Sequence, residues 1–194
     1  GNQPEVTGVV PADGFDRAQV LAFAAAVEQQ STHPLAAAIA AAGPEAPAAL
    51  DISEEAGHGI GGTVEGRRVL VGSSRWIDAG PLKADVERME SEGQTCVLVT
   101  VDGALAGAIG VRDELRPEVP EAVQTLHANG VEVSMLTGDN TRTARALAAI
   151  AGIDDVRAEL RPEDKASIVA ELSSKTPTAM IGDGINDAPA LAGA

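Results

Sequence analysis

The sequence predicts an α/β protein made of a small α+β domain followed by a Rossmann-like domain. In the second half, strand patterns alternate with helix patterns of ten or more residues, which indicates a parallel sheet covered by helices. In the first half, two short hairpin signals instead indicate an antiparallel sheet. We place the boundary near residue 110, so that residues 5–109 form the first domain and residues 110–194 the second.

Three helices are predicted in the first domain. Asp16 begins a capping-box spacing, and the apolar residues that follow it recur at helical intervals. A second helix is expected to begin at Ser31–Pro34, with the proline in its first turn, and to end at Gly43. A third is marked by apolar residues from Leu82 onward and ends near Gly93.

The strands of the first domain are predicted from turn residues. Two short apolar runs flank Glu65-Gly66, and two longer ones flank Asp102-Gly103, the strongest hairpin signal in the chain. Residues 44–50 are predicted to be a loop because they are rich in proline and alanine. The glycine-rich stretch "GHGIGG" at 57–62 is expected to form a bend beside the sheet.

The second domain is predicted to contain three helices that alternate with three strands. The expected order is a helix from Pro117 to Asn129-Gly130, the strand "VEVSMLT", a helix over 141–151, the strand "VRAEL", a helix over 163–173 and the strand "TAMIGD". Such an alternation is typical of a three-layer sheet. Ligands of these sheets lie beyond the carboxyl ends of the strands.

The composition restricts the partners of the protein. The 194 residues carry a formal charge of −15, which repels nucleic acid and anionic membranes. An anionic ligand therefore needs backbone N–H groups, a lysine or a divalent cation beside it. Cys96 is the single cysteine, so a buried thiol in a reducing compartment is expected. With no apolar run of about 20 residues, we expect a soluble chain.

Polar residues follow two strands of the predicted parallel sheet. Thr137 and Asp139 follow the first strand, and Asp183, Asn186 and Asp187 follow the last. A hydroxyl with backbone N–H groups suits a phosphate, and paired carboxylates suit Mg²⁺. The alternative is that these residues form Asx turns that cap the next helices.

The order of these motifs resembles a known superfamily. "TGD", "DK" and "GDGIND" are similar to the haloacid-dehalogenase superfamily, and "RDELRP", "MLTGDN" and "GDGINDAPALA" resemble P-type ATPases. The resemblance implies that Thr137 holds the transferred phosphoryl group and that Lys165 neutralises it. It also implies that Asp183 ligates Mg²⁺ and that Asn186 and Asp187 complete and orient the site, with Asp187 as the second metal ligand. Asp139 is a further candidate catalytic residue.

The nucleophile of that family is the aspartate of a DKTGT motif, which does not occur in these 194 residues. The family places it just upstream of a segment like the one at Gly1. We therefore expect a phosphorylation domain without its first strand and its aspartate. Such a chain would bind ATP but would not phosphorylate itself.

A second pair of motifs narrows the resemblance. "STHPLAAAI" followed by "GHGIGG" resembles the nucleotide-binding domain of heavy-metal-transporting P-type ATPases. The resemblance implies that His33 packs against adenine and that Glu28 takes its exocyclic amine. It also implies that three glycines approach the base and phosphates: Gly57, Gly59 and Gly61. As a Rossmann fingerprint the same glycines are a weak signal, because strand patterns follow them.

Ser73 departs from the family pattern. The family has an asparagine that touches the nucleotide in a G-N-x-x-W stretch, whereas this chain reads "VGSSRW". Serine still donates and accepts a hydrogen bond, but with a shorter reach. Loss of one such bond costs on the order of 1 kcal/mol, so we expect weaker ATP binding.

The resemblance implies the ATP-binding headpiece of a heavy-metal cation translocase, on the cytosolic face of a membrane. ATP and Mg²⁺ are the expected cofactors. Its partners would be the membrane and actuator domains of the same polypeptide and a transported cation, with copper the first expectation. Two alternatives stay open: a soluble phosphatase of the same superfamily with a large cap domain, and a non-catalytic nucleotide-binding regulator.

Overall fold

The structure is a computed structural model that describes residues 4–55, 58–112, 117–173, 178–181 and 190–192. The chain divides into two compact units. Unit 1 comprises Gly1–Glu90 and Gln94–Glu114, and unit 2 comprises Ser91–Gly93 and Leu115–Ala194. The assignment of residues 5–109 to a nucleotide-binding domain and of residues 110–194 to a phosphorylation domain remains a prediction.

Unit 1 is a six-stranded antiparallel sheet with helices on both faces. The strands lie in the order β1-β6-β5-β4-β3-β2. The elements are β1 (Glu5–Pro11), α1 (Arg17–Glu28), α2 (Pro34–Ala42), β2 (Leu50–Glu55), β3 (Gly59–Val64), β4 (Arg67–Gly72), α3 (Lys83–Ser91), β5 (Thr95–Val101) and β6 (Ala104–Arg112). The predicted antiparallel sheet and the three helices are confirmed.

Both predicted hairpins form through left-handed turn residues. Glu65 and Gly66 have φ of 51° and 78°, and Asp102 and Gly103 have φ of 49° and 81°. Two consecutive residues with positive φ twist the turn in the sense that matches the flanking strands. The Asp102 carboxylate also accepts a 2.8 Å hydrogen bond from the Arg68 N–H, which links the two hairpins.

Two features of the sheet differ from the sequence prediction. Strands β1 and β2 were not predicted, because their sequences carry no strong strand pattern. In the structure they form the two edge strands of the sheet. The described glycines at 59, 61 and 62 lie inside β3 rather than in a bend. The reason is tertiary, because β3 is held between β2 and β4 by hydrogen bonds on both sides. Pairing with neighbours thus overrides the low strand propensity of glycine.

Two apolar layers hold unit 1 together. Helix α1 begins with the predicted capping box, in which the Gln19 N–H donates to the Asp16 carboxylate at 2.8 Å. Val20 and Val27 of α1 are fully buried in the layer between helices α1 and α2 and one face of the sheet. On the other face, Met89 of α3 packs in the layer that includes Leu98.

Unit 2 has the predicted alternation of helices and strands. Its elements are α4 (Glu118–Ala128), β7 (Glu132–Leu136), α5 (Thr141–Ala151), β8 (Asp155–Arg157), α6 (Pro162–Ser173), β9 (Thr178–Ile181) and β10 (Ala190–Ala192). The strand order is β10-β9-β7-β8, and β7 runs parallel to both β8 and β9. Strand β10, which was not predicted, pairs antiparallel with β9. Within the described ranges, no helix is both long and apolar enough to cross a membrane.

Candidate nucleotide and phosphoryl sites

His33 lies at the start of helix α2 and caps it. Its Nδ1 accepts a hydrogen bond from the Leu35 N–H at 3.2 Å, and its own N–H donates to Ser31 Oγ at 3.3 Å. The bond to Nδ1 fixes the ring orientation and, in the neutral imidazole, leaves the proton on Nε2. The side chain is exposed. His33 is thus an oriented ring at the surface, and it stabilises α2 as well.

Glu28 is the last residue of helix α1 and is buried. Burial, and secondarily the nearby Glu54 carboxylate, raises its pKa to about 7. The Glu28 carbonyl accepts the Ser31 N–H at 3.1 Å, which turns the chain toward α2. A buried carboxyl whose pKa is shifted toward neutral pH is a candidate member of a functional site.

The raised pKa of Glu28 predicts a pH dependence of stability. The folded chain holds this proton more tightly than the unfolded chain, so the contribution is present below pH 4.5 and is lost as pH rises through about 7. Relative to Glu28→Gln, we expect the free energy of unfolding of the unsubstituted chain to fall by up to about 3 kcal/mol over this range. Urea unfolding, followed by the emission of the single tryptophan, measures it at each pH.

A matched variant tests the cause of this dependence. Glu54→Gln removes only the smaller contribution to the Glu28 pKa, so it should reduce the slope of stability against pH without abolishing it. Equal slopes for the unsubstituted chain and Glu28→Gln between pH 4.5 and 7 would contradict the assignment.

Gly59 is required by the backbone of the sheet. It pairs with Gly72 across β3 and β4, and its φ is +146°. A Cβ at Gly59 would lie 2.2 Å from the Val71 carbonyl oxygen, and one at Gly72 would lie 2.5 Å from the His58 carbonyl oxygen. The two strand backbones thus approach too closely for any side chain at either position. The close approach of the two strands therefore requires glycine at position 59, whether or not a ligand binds there.

Gly61 has more freedom. A Cβ there would meet the ends of the Leu70 and Arg68 side chains, at 2.6 and 2.8 Å, and both can move. Gly57 lies outside the described residues, so its expected role is a prediction only.

Ser73 directly follows Gly72 at the end of β4. Its carbonyl accepts the N–H groups of Trp76 and Ile77, both at 3.1 Å, so the chain turns around it. Its Oγ is buried and has no hydrogen-bond partner in the described part of the chain. An unsatisfied buried hydroxyl costs about 1–3 kcal/mol, and a ligand atom would remove that cost.

The register brings most of these residues to one end of unit 1. Gly59 pairs with Glu55 and with Gly72, so the start of β3 lies beside the end of β4, where Ser73 follows. Glu54, one residue from the end of β2, is close enough to raise the Glu28 pKa. Glu28, Gly59 and Ser73 therefore lie toward this end of the sheet. His33 follows Glu28 by five residues in the sequence.

A ring contact at the same end was not predicted. The His58 and Trp76 rings have centroids 3.7 Å apart and planes tilted by 52°. In the sequence, His58 stands between two glycines and carries no signal of its own. Trp76 is marked only by its place three residues after Ser73. Their contact depends on the β3–β4 pairing, which no local pattern specifies.

In unit 2, Thr137 follows strand β7 and is buried. Its N–H donates to the Arg157 carbonyl and its own carbonyl accepts the Leu160 N–H, both at 3.0 Å. Its Oγ1 accepts the Asp139 N–H at 3.0 Å, which leaves the hydroxyl hydrogen as a donor. Thr137 is thus fixed at the carboxyl end of a central strand, with a hydroxyl group that suits an anionic oxygen.

The loop after Thr137 is held by its neighbours. The Asp139 carbonyl accepts the Glu159 N–H at 2.8 Å, and Glu159 Oε2 accepts the Thr141 hydroxyl at 2.8 Å. The side chain of Asn140 caps α5 by accepting the Thr143 N–H at 2.9 Å. Asn140 therefore forms an Asx cap of α5. Thr137 does not cap the helix; its hydroxyl oxygen accepts a hydrogen bond from the N–H of Asp139 within the loop.

The remaining residues of the phosphoryl site are placed only in part. Lys165 lies in the first turn of α6, where its N–H donates to the Arg161 carbonyl at 3.2 Å. Asp183, Asn186 and Asp187 lie outside the described residues. Strand β9 ends at Ile181, which pairs with Met135 of β7. The described end of β9 therefore lies beside the strand that precedes Thr137.

Unit 2 also has a groove within the described ranges. Its volume is about 620 Å³, and its lining includes Val131 and Glu132 at the start of β7 and Asp155 at the start of β8. These residues lie at the amino ends of the strands, although Arg157, whose carbonyl accepts the Thr137 N–H, also lines the groove. None of the described residues predicted for the phosphoryl site is among those that line it.

Comparison with known proteins decides the family. The family model of the haloacid dehalogenase-like hydrolases matches residues 1–194. The chain belongs to the haloacid dehalogenase-like hydrolase family. The α/β architecture with an antiparallel unit and the predicted superfamily are thereby confirmed.

The relatives of this family member are P-type ATPases. The chain is 56% identical to "Probable cation-transporting ATPase G" of Mycobacterium tuberculosis over 147 residues, 76% of this chain and 19% of that protein. It is 42% identical to "Copper-transporting ATPase 1" of Rhizobium meliloti over 199 residues, 97% of this chain and 24% of that protein. The chain thus spans about a quarter or less of the length of these relatives.

Similarity in structure agrees with similarity in sequence. A crystal structure of a zinc-transporting PIB-type ATPase in its E2.Pi state matches with a TM-score of 0.66 and 40% identity. That match covers 95% of this chain and 31% of the other. The similarity of this haloacid dehalogenase-like chain to heavy-metal P-type ATPases therefore extends across both units.

Proposed function

We propose that this chain is the ATP-binding headpiece of a heavy-metal cation-translocating P-type ATPase, at the cytosolic face of a membrane. Residues 5–109 would be its nucleotide-binding domain and residues 110–194 its phosphorylation domain. The observation that carries the proposal is the arrangement of Gly59 and Ser73 at one end of the unit 1 sheet, with the buried Glu28 close to Glu54 of the adjoining strand β2. Family membership supports it.

The nucleotide would bind to unit 1. The His33 ring, oriented by its bond to the Leu35 N–H, would pack against adenine. Glu28 would accept a hydrogen bond from the exocyclic amine of adenine. Ser73 Oγ, which has no hydrogen-bond partner in the described part of the chain, would form a hydrogen bond with the nucleotide. Gly57, Gly59 and Gly61 would let the base and phosphates approach the backbone.

Phosphoryl transfer would be served by unit 2. The Thr137 hydroxyl would donate to the transferred phosphoryl group and the Lys165 ammonium would neutralise its charge. Asp139 and Asn186 would complete the site. Asp183 and Asp187 would hold Mg²⁺, which supplies charge neutralisation when bound. The acceptor aspartate of a DKTGT motif is not among these 194 residues.

The partners would be the membrane and actuator domains of the same polypeptide and a heavy-metal cation as cargo. Copper is the first candidate, because one relative that matches nearly the whole chain is named a copper transporter. The zinc-transporting relative of known structure is 40% identical, so zinc is the second candidate.

The proposal predicts that the 194-residue chain binds ATP with a micromolar to millimolar Kd. Isothermal titration calorimetry measures the affinity, and amide chemical shifts locate the site. The largest shifts should occur at residues 28–33 and at residues 58–61 and 72–76. Changes should be smaller around Gly14 and Gly66, which lie in turns that contain none of the predicted nucleotide-binding residues. Absence of heat and of shifts at millimolar ATP would contradict the proposal.

A further inference from the structure

Trp76 differs from the other aromatic side chains of this protein. The chain has one tryptophan, two phenylalanines and no tyrosine. Phe23 is buried in the layer under helices α1 and α2, and Phe15 packs against that layer. Trp76 is instead 58% exposed. One exposed apolar residue is ordinary by itself, so its surroundings decide its meaning.

The surroundings hold Trp76 in a fixed place. Its backbone N–H donates to the Ser73 carbonyl at 3.1 Å, within a turn that begins directly after β4. Its ring contacts that of His58, at a centroid distance of 3.7 Å. The backbones at His58 and Gly72 also approach closely, because a Cβ at Gly72 would lie only 2.5 Å from the His58 carbonyl oxygen. The two rings thus form a preorganised pair.

A second observation points to a ligand at this place. Ser73 Oγ lies in the same turn as Trp76, is buried, and has no hydrogen-bond partner in the described ranges. A flat aromatic surface that shares a turn with an unsatisfied hydroxyl is complementary to a ligand with a planar ring and a nearby polar group. Nucleobases stack on such surfaces, and one stacked base is worth about 1–3 kcal/mol.

We propose that the His58–Trp76 pair is a base-stacking platform of the nucleotide site, with the exposed indole face against the nucleobase. This rests on the proposed function, since the platform lies at the end of the unit 1 sheet that also holds Gly59 and Ser73. The base would then have an aromatic contact besides that of His33. The fixed rings would lose little entropy on binding.

The experiment uses the whole chain, with Trp76 as its own reporter because it is the single tryptophan. Saturating ATP should quench its emission with the Kd found by calorimetry, whereas inorganic tripolyphosphate, which lacks a base, should not. Trp76→Ala should raise the Kd for ATP about fivefold or more, and Trp76→Phe about twofold or less. Circular dichroism checks that each variant is folded.

Ile150→Ala is the matched control, because Ile150 is 62% exposed on α5 and belongs to unit 2. It should leave the Kd unchanged. Two results would overturn the platform but not the nucleotide site, provided that the His33 variants still bind ATP weakly. The first is that ATP leaves the Trp76 emission unchanged, and the second is that Trp76→Ala binds ATP with the original Kd. Failure of the unsubstituted chain to bind ATP overturns the proposed function and the platform together.

Discussion

Replacement of His33 by asparagine is expected to raise the Kd for ATP roughly 5- to 150-fold without destabilising helix α2. Asparagine is a good helix cap, so its side chain can take over the hydrogen bond that the Leu35 N–H makes to His33 Nδ1. It has no ring to stack on adenine, and the loss of one stacked base costs about 1–3 kcal/mol. Calorimetry gives the Kd, and thermal unfolding gives the stability.

Two further variants separate the cap from the ring. His33→Ala removes both, so it should weaken ATP binding and also lower the free energy of unfolding by about 0.5–2 kcal/mol. His127→Asn is the histidine control, because His127 lies in the last turn of α4 in unit 2. If His33→Asn binds ATP as tightly as the unsubstituted chain, the role of His33 is confined to capping α2.

Replacement of Gly59 by alanine is expected to lower the free energy of unfolding by about 3–5 kcal/mol. The added Cβ would lie 2.2 Å from the Val71 carbonyl oxygen and 2.8 Å from the Gly72 Cα, and neither backbone atom can move without breaking the β3–β4 pairing. The φ of +146° adds strain for any residue with a side chain. Urea unfolding followed by Trp76 emission measures the change.

Gly14→Ala is the control for positive φ alone. Gly14 has φ of +90°, and nothing lies within 4 Å of the position that a Cβ would take, so its replacement should cost only about 1 kcal/mol. Gly61→Ala should fall between the two, because the Leu70 and Arg68 side chains can move away. A cost at Gly59 equal to that at Gly14 would show that the close approach to Val71 is not rigid.

The elements with strong local signals were predictable. Helix α1 begins after Asp16 because the capping box is local, and the hairpins form at Glu65-Gly66 and Asp102-Gly103 because those residues accept positive φ. The alternation in unit 2 was predictable for the same reason, since each helix of that unit has a pattern of ten or more residues. The motifs around Thr137 and His33 also indicated the family that the whole-chain match confirmed.

Other features depended on partners distant in the sequence. The glycine-rich segment of β3 is a strand because β2 and β4 bond to it on both sides, and β1 is a strand because it pairs with β6. The raised pKa of Glu28 needs burial under tertiary packing and the approach of Glu54. No local pattern contains either cause.

The sequence by itself determined the family, the order of most elements and the candidate residues, because caps, turns and motifs act over a few neighbouring positions. Only the tertiary structure decided that Gly59 is needed for the approach of two backbones and that Ser73 Oγ is buried without a partner in the described ranges. It alone joined His58 to Trp76. The physical reason is that strand pairing between β3 and β4 sets these contacts, and pairing is a property of the folded sheet.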